Sequence, residues 1–188
     1  MNSVCLRVHQ ILPYSHANGP GQRAVIWVQG CTLNCTGCFN PETHALDGGE
    51  LISVDELFHR IVALGDTIEG LSISGGEPLQ QREPLLALLQ RMREETSLSV
   101  LLFSGYAWEE IQQMPDAGAL LACMDVLIAG RYDASRPIRD GLQSSANQTV
   151  HLLTDRYTMG DLQAVPPAEV IITPEGEVLV SGVDPIKW

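Results

Sequence analysis

The chain has 188 residues, 45% of them hydrophobic, which suits one domain with a full core and excludes a disordered chain. Its formal net charge of −12 repels phosphate backbones and argues against nucleic-acid binding. No apolar run reaches the roughly 20 residues that span a bilayer, and the N-terminus lacks a basic region followed by an apolar core, so neither a membrane span nor a signal peptide is expected.

Residues 3–12 alternate loosely and are predicted to form a strand, ended by Pro13, with Cys5, Arg7 and His9 on one face. Asn18-Gly19-Pro20-Gly21-Gln22-Arg23 reads as a turn. Residues 24–29 form a short apolar strand that runs straight into the loop Gly30-Cys31-Thr32-Leu33-Asn34-Cys35-Thr36-Gly37-Cys38-Phe39-Asn40. Three of the five cysteines fall in this loop, spaced C-x3-C-x2-C. An odd count with three clustered points to metal in a reducing compartment rather than to disulfides, so a cytoplasmic location is expected. A structural zinc takes four protein ligands in a closed tetrahedron. A cubane iron–sulfur cluster has four irons, each usually held by one cysteine, so three cysteines leave one iron open to something that is not protein. A zinc loop whose fourth ligand is His44, Cys5 or Cys123 is the alternative.

Residues 53–64 form an amphipathic helix with Ser53 as N-cap, Glu56 three residues on, and Val54, Leu57, Phe58, Ile61 and Leu64 as its buried stripe. A strand at 71–74 leads into Gly75-Gly76-Glu77-Pro78-Leu79. A diglycine lets a ligand approach the backbone closely, and a carboxylate beside it can accept from an ammonium group. Taken alone, these residues make only an ordinary strand-to-helix turn. A helix at 83–95, a strand at 98–103, a turn at Ser104-Gly105-Tyr106 and helices at 108–114 and 117–124 follow; Cys123, in an apolar run, reads as packing. A strand at 125–129 ends at Gly130-Arg131-Tyr132-Asp133, residues 135–146 read as a polar loop, and the second half of 147–153 is strand-like. The tail reads as a β-hairpin, 169–173 and 178–181, around Pro174-Glu175-Gly176-Glu177. Strands alternate with helices from 24 to 128, so the class is α/β with a mainly parallel sheet. Residues 1–153 are expected to form the main domain, with 154–188 a C-terminal extension packed on it.

The cysteine spacing resembles the signature of the radical S-adenosylmethionine (SAM) superfamily, and Gly75-Gly76-Glu77 resembles the element that contacts the SAM amino group there. Asn18-Gly19-Pro20-Gly21, placed before the strand and loop, matches the entry segment of the glycyl-radical-enzyme activases. Segments 18–23, 27–44, 71–79, 104–106, 125–132, 144–148 and 150–151 together look like the activases of anaerobic ribonucleotide reductases. That branch shares Gly37 before the third cysteine and Phe39 after it, where most of the superfamily places an aromatic residue before.

The resemblance implies a partial, open TIM-like barrel carrying the hairpin extension. It implies that Cys31, Cys35 and Cys38 hold a [4Fe-4S] cluster, with SAM on the open iron. The implied SAM contacts are Gly37, Cys38, Phe39 and Asn40, then Gly75, Gly76, Glu77 and Ser104. A flavodoxin or ferredoxin would reduce the cluster, SAM would split to methionine and a deoxyadenosyl radical, and that radical would take a hydrogen from a glycine of a partner glycyl radical enzyme. No side chain need act as acid or base. Trp27 and Val28 are expected in the core, and Gln29 receives no role.

Two departures stand out. Where relatives carry Asp-Gly-Lys, this chain has Ala129-Gly130-Arg131; Arg131 can still supply a cation to the SAM carboxylate, but Ala129 cannot supply the acid. The family also tends to end near Asn147-Gln148, so the extension is a docking element, a lid or a sheet extension that closes the open edge. The competing readings are radical SAM chemistry on a small molecule or peptide, and a zinc-stabilised binding module that is not an enzyme.

Overall fold

A computed structural model describes residues 4–172 and 176–183, so the predicted tail turn falls partly outside the described residues. Seven strands make one sheet in the order β3-β1-β2-β4-β5-β6-β9. Its centre is β2 (Arg23–Val28), β4 (Gly70–Gly75), β5 (Ser99–Ser104) and β6 (Val126–Ala129), all parallel. These are the apolar runs separated by helical segments, and parallel strands buried on both faces read as such runs. Outside them, β1 (Cys5–Ser15), β3 (Glu50–Ser53) and β9 (Thr149–Leu152) pair antiparallel. The architecture is thus mixed α/β around a large, mainly parallel central sheet.

Alternation along the strands sorts side chains onto two faces. On one, Leu6, Ile26, Ile73, Leu102 and Leu127 pack against α1 (Val54–Val62), α2 (Arg82–Glu95), α3 (Trp108–Gln112) and α4 (Ala117–Ala122). Ser53 caps α1 by accepting from Glu56 N at 3.1 Å, and Val54, Leu57, Phe58 and Ile61 are buried as the periodicity requires. Leu64, the predicted end of the stripe, lies beyond the helix and only partly buried against the core. On the other face, Leu101, Val126 and Ile128 meet Leu142, Tyr157 and the residues around α5 (Met159–Gln163), Leu162 and Val165.

That second face holds the chain's one wholly buried guanidinium among the described residues. Arg23 donates through Nε to Ser72 Oγ at 2.8 Å and through Nη1 to Ser99 Oγ at 2.8 Å and Tyr157 Oη at 3.2 Å. Tyr157 in turn donates to Glu69, which places a carboxylate one hydroxyl away from the cation. Burial lowers the Arg23 pKa, and the Tyr157 and Glu69 side chains oppose that shift.

Several elements differ from the sequence reading. Pro13 does not end β1: the register slips between Leu12 and Ser15, and β3 pairs only as far as Val8, so the missing N–H falls at an irregularity with no β3 neighbour. The polar loop contains a small hairpin, β7 (Pro137–Asp140) with β8 (Gln143–Ser145). The tail hairpin, β10 (Ala168–Ile172) with β11 (Val178–Gly182), forms its own two-stranded sheet and does not extend the large one.

Candidate functional site

The parallel register sets Trp27 beside Ser74, Val28 beside Gly75, and Ser104 beside Ala129. The C-terminal ends of four strands therefore deliver Gly30-Cys31, Gly76-Glu77, Gly105 and Gly130 to one place, where open α/β sheets bind their ligands. A cavity lies there. Its walls include Cys31, Cys35, Cys38, Phe39, Asn40, Gly75, Gly76, Glu77 and Ser104.

The cysteine loop is braced from its root. Gly30 N donates to Thr43 O at 2.8 Å and Cys31 N to His44 O at 3.2 Å, which closes residues 30–44 into a compact lobe. Inside it, Cys38 N donates to Cys35 O, and Asn34 and Gly37 take positive φ values of 51° and 75°, turns that bring the thiols to one wall. Gly37 does not line the cavity. A Cβ there would meet the Ala134 side chain at 3.2 Å on a backbone that side chains rarely adopt, so the position before the third cysteine suits glycine. Phe39 instead packs on Tyr132 with ring centroids 4.4 Å apart.

Gln29, which sequence reasoning left without a role, is buried and clamps the lobe. Its amide donates to Glu42 O at 3.2 Å and Ala45 O at 2.8 Å, and its Oε1 meets His9 Nδ1 at 2.9 Å. A polar residue at the end of an apolar strand was the available signal. Gln80 and Gln81 complete the brace: Thr32 N donates to Gln80 Oε1 at 3.1 Å, and Gln81 Nε2 donates to Gln29 O at 3.0 Å. Trp27, expected in the core, is only partly buried and lines the cavity, whereas Val28 is fully buried.

Glu77 is buried and held by three donors: Leu79 N at 2.9 Å and Ser104 Oγ at 2.9 Å on Oε1, and Gly105 N at 2.7 Å on Oε2. Burial nevertheless pushes its pKa up to about 7 from 4.5. A carboxyl that holds its proton more tightly when folded than when unfolded weighs against the fold as pH rises, because the native state then binds the extra proton. The cofactor-free chain is therefore expected to lose up to about 3 kcal/mol from this group between roughly pH 4.5 and 7. Glu77→Gln should remove that part of the slope, and thermal melts across pH 4.5–8 would check it; an unchanged slope would mean the carboxyl is ionised throughout.

Arg131 does not line the cavity. It pairs with Glu110 at 2.8 and 3.2 Å, and its charge works to lower the pKa of Glu77. The cavity also takes in residues to which the sequence assigned no SAM contact, including Asn18, Leu142, Ser144, Gln148, Gly182 and Val183. Gln148 Oε1 accepts from Ser144 and Ser145, and its amide donates to Gly130 O at 3.1 Å, which pins β8 against the end of β6.

Burial raises the Cys31 and Cys38 thiol pKa values, and the charge of Cys35 raises both further. Thiolates here call for a cationic centre to hold them. Cys123 is buried beside α4 and Cys5 begins β1, away from this wall. His44 lines the cavity, yet no three His, Cys, Asp or Glu side chains among the described residues gather around the position of a single ion. Three soft sulfur donors spread along one wall fit a cluster that gives each thiolate its own iron better than one tetrahedral zinc.

The family described as a 4Fe-4S single cluster domain matches residues 17–151. The anaerobic ribonucleoside-triphosphate reductase-activating protein of Vibrio cholerae is 35% identical over 158 residues, covering 79% of this chain and 99% of its own. Its counterpart from Enterobacteria phage T4 is 32% identical over 150 residues, 78% and 94% of the two chains. That of Escherichia coli K12 is 31% identical over 159 residues, 79% and 99%. Among solved structures, QueE from Escherichia coli aligns over 54% of this chain and 53% of its own with a TM-score of 0.43 and 18% identity, too loose a likeness to bear on function.

Proposed function

The chain belongs to the family of anaerobic ribonucleoside-triphosphate reductase-activating proteins, radical SAM activases with a single 4Fe-4S cluster, and from that premise we propose that it generates a glycyl radical on an anaerobic ribonucleotide reductase. Cys31, Cys35 and Cys38 would hold the cluster, and the remaining walls of the cavity would hold SAM. When bound, cluster and SAM together supply the one-electron chemistry that removes a hydrogen atom from a glycine of the partner. The observation that carries this reading is the meeting of the three-cysteine loop with Gly75-Gly76-Glu77 and Ser104 on one cavity at the C-terminal ends of parallel strands.

The chain's own residues position and shield. The Gly75-Gly76 backbone admits the SAM amino group close to the sheet, and Glu77 accepts from its ammonium. Glu77 starts with a raised pKa, so pairing with that cation favours its carboxylate form and releases a proton. Ser104 and Gly105 hold the carboxylate in place. Gly37 shapes the loop, while Phe39 and Asn40 line the cavity and would meet the nucleoside. Arg131, paired with Glu110, would have to leave that partner to meet the SAM carboxylate.

The open seven-stranded sheet supports a partial-barrel reading, and an unclosed barrel leaves room for a partner's loop to enter. A flavodoxin or ferredoxin supplies the electron. Among the described residues no helix is long and apolar enough to cross a membrane. Clustered thiols that need a reducing environment support a cytoplasmic location.

The test is anaerobic reconstitution with iron and sulfide, then dithionite and SAM, with and without a purified anaerobic reductase. We expect a brown protein, release of deoxyadenosine, and a glycyl-radical signal on the reductase. A colourless protein with one tight zinc would overturn the reading. So would deoxyadenosine release that depends on a small molecule and leaves every reductase glycine intact.

A further inference from the structure

The matched region stops at residue 151, yet Gly182 and Val183 line the same cavity as the cysteines. They are brought there by the β10–β11 hairpin, which is fastened to the turn ahead of β2. Ser15 Oγ donates to Glu169 Oε1, and His16 N donates to Glu169 Oε2 at 3.0 Å. Asn18 spends both amide protons on the same joint, one to Ser15 Oγ at 2.7 Å and one to Ser181 Oγ at 2.6 Å. Its carbonyl accepts from Ser72 Oγ at 2.6 Å, in β4. A continuous polar path therefore runs from the sheet through Asn18 to Ser181, and the next two residues along the chain face the cavity. Asn18 is itself a wall residue. Trp27, Asn40 and Gly182 also line a second, adjoining cavity under β11, which sets the hairpin against the lobe that follows the cysteines.

SAM presents a charged methionyl end and a flat, largely apolar purine. The cysteines and Glu77 answer the first. Val183 offers an aliphatic surface, and Gly182 cannot be enlarged: at φ +131° a Cβ would lie 2.4 Å from Pro167 O. The first suits a wall against which a nucleoside rests, and the second holds the end of β11 tightly against the start of β10.

Resting on the radical SAM reading above, we propose that the C-terminal hairpin completes the SAM-binding cavity, with Val183 touching the bound SAM and the Asn18–Ser181 hydrogen bond positioning it. Unlike the cluster-side wall, this part of the site lies outside the region matched by the family.

The test measures SAM affinity by equilibrium dialysis on the reconstituted full chain, alongside iron content and hydrogen exchange of residues 178–183. Val183→Glu is expected to weaken SAM binding by about tenfold or more with iron content unchanged, since it sets a carboxylate against the ligand's apolar surface. Val183→Ala, which leaves the fold least disturbed, should cost roughly threefold. Ser181→Ala should weaken SAM binding without altering the iron. SAM should slow exchange in β11 of the unmutated protein. Unmutated protein that binds SAM while Val183→Glu and Val183→Ala bind it equally well, or β11 exchange indifferent to SAM, would overturn the hairpin's part alone. Unmutated, iron-loaded protein that binds no SAM would overturn the radical SAM reading and this proposal with it.

Discussion

Replacing any one of Cys31, Cys35 or Cys38 by alanine is expected to strip the site of iron and bring SAM cleavage to background, while Cys5→Ala and Cys123→Ala leave both intact. Each of the three lines the cavity, and neither of the other two does. The loop has nothing in reserve: among the described residues no group of three or more His, Cys, Asp or Glu side chains converges elsewhere on the position of an ion to take over a lost ligand, just as the three thiols themselves do not meet at a single-ion position. The loss should therefore exceed the roughly 10–100-fold that removal of an outer hydrogen-bond partner of a metal site costs. Iron and sulfide per chain, visible absorbance and deoxyadenosine yield measure it. A Cys35→Ala protein that retained four irons and full turnover would sink the assignment, as would a Cys123→Ala protein that lost them.

Gly76→Ala should produce the second largest effect, through sterics alone. A Cβ on Gly76 would lie 2.4 Å from Gly30 O and 2.8 Å from Gly30 C, both backbone atoms that cannot rotate aside. The same Gly30 carbonyl accepts from Glu77 N at 2.9 Å, so the methyl would pry apart the hydrogen bond joining the cysteine loop to the β4 turn. Overpacking plus one lost hydrogen bond costs about 2–4 kcal/mol. Because the two halves of the SAM site would move apart, affinity for SAM should fall by more than about tenfold. Gly118→Ala is the control. Nothing lies within 4 Å of its Cβ, it stands inside α4, and helix propensity favours alanine there by up to about 1 kcal/mol. Thermal unfolding and SAM binding of both variants decide the matter; equal behaviour would mean that the contact at Gly30 is not restrictive.

The central strands, the capped helix at Ser53 and the cysteine loop were legible because their causes are local. Apolar runs, a capping serine and close-spaced thiols all act within a few residues. β3 escaped notice because it is a short edge strand that exposes Glu50 and Leu51. β7 and β8 carry no apolar alternation; Gln148 holds β8 by hydrogen bonds, and β7 pairs with β8. The site followed the same rule. Glu77 and Ser104 could be placed from the strand ends that precede them. Arg131 was expected to offer its charge to the SAM carboxylate, whereas its pairing with Glu110 depends on α3 lying beside it and is invisible in sequence. Asn18 and Ser181 are 163 positions apart, and only the folded chain shows that they bond.

Arg23 ties the tail to the rest of the molecule in another way. Its guanidinium shares a hydroxyl partner, Tyr157, with the carboxylate of Glu69, and Tyr157 comes after the last residue of the matched region. A chain trimmed to the length of its relatives would keep every thiol and the Gly75-Gly76 pair, yet leave a sequestered cation without the phenol that links it to its counter-charge. Such a fragment should melt early and clump rather than serve as a minimal catalyst. Shortening experiments on this protein would then report on solubility, whatever the lost segment contributes to chemistry.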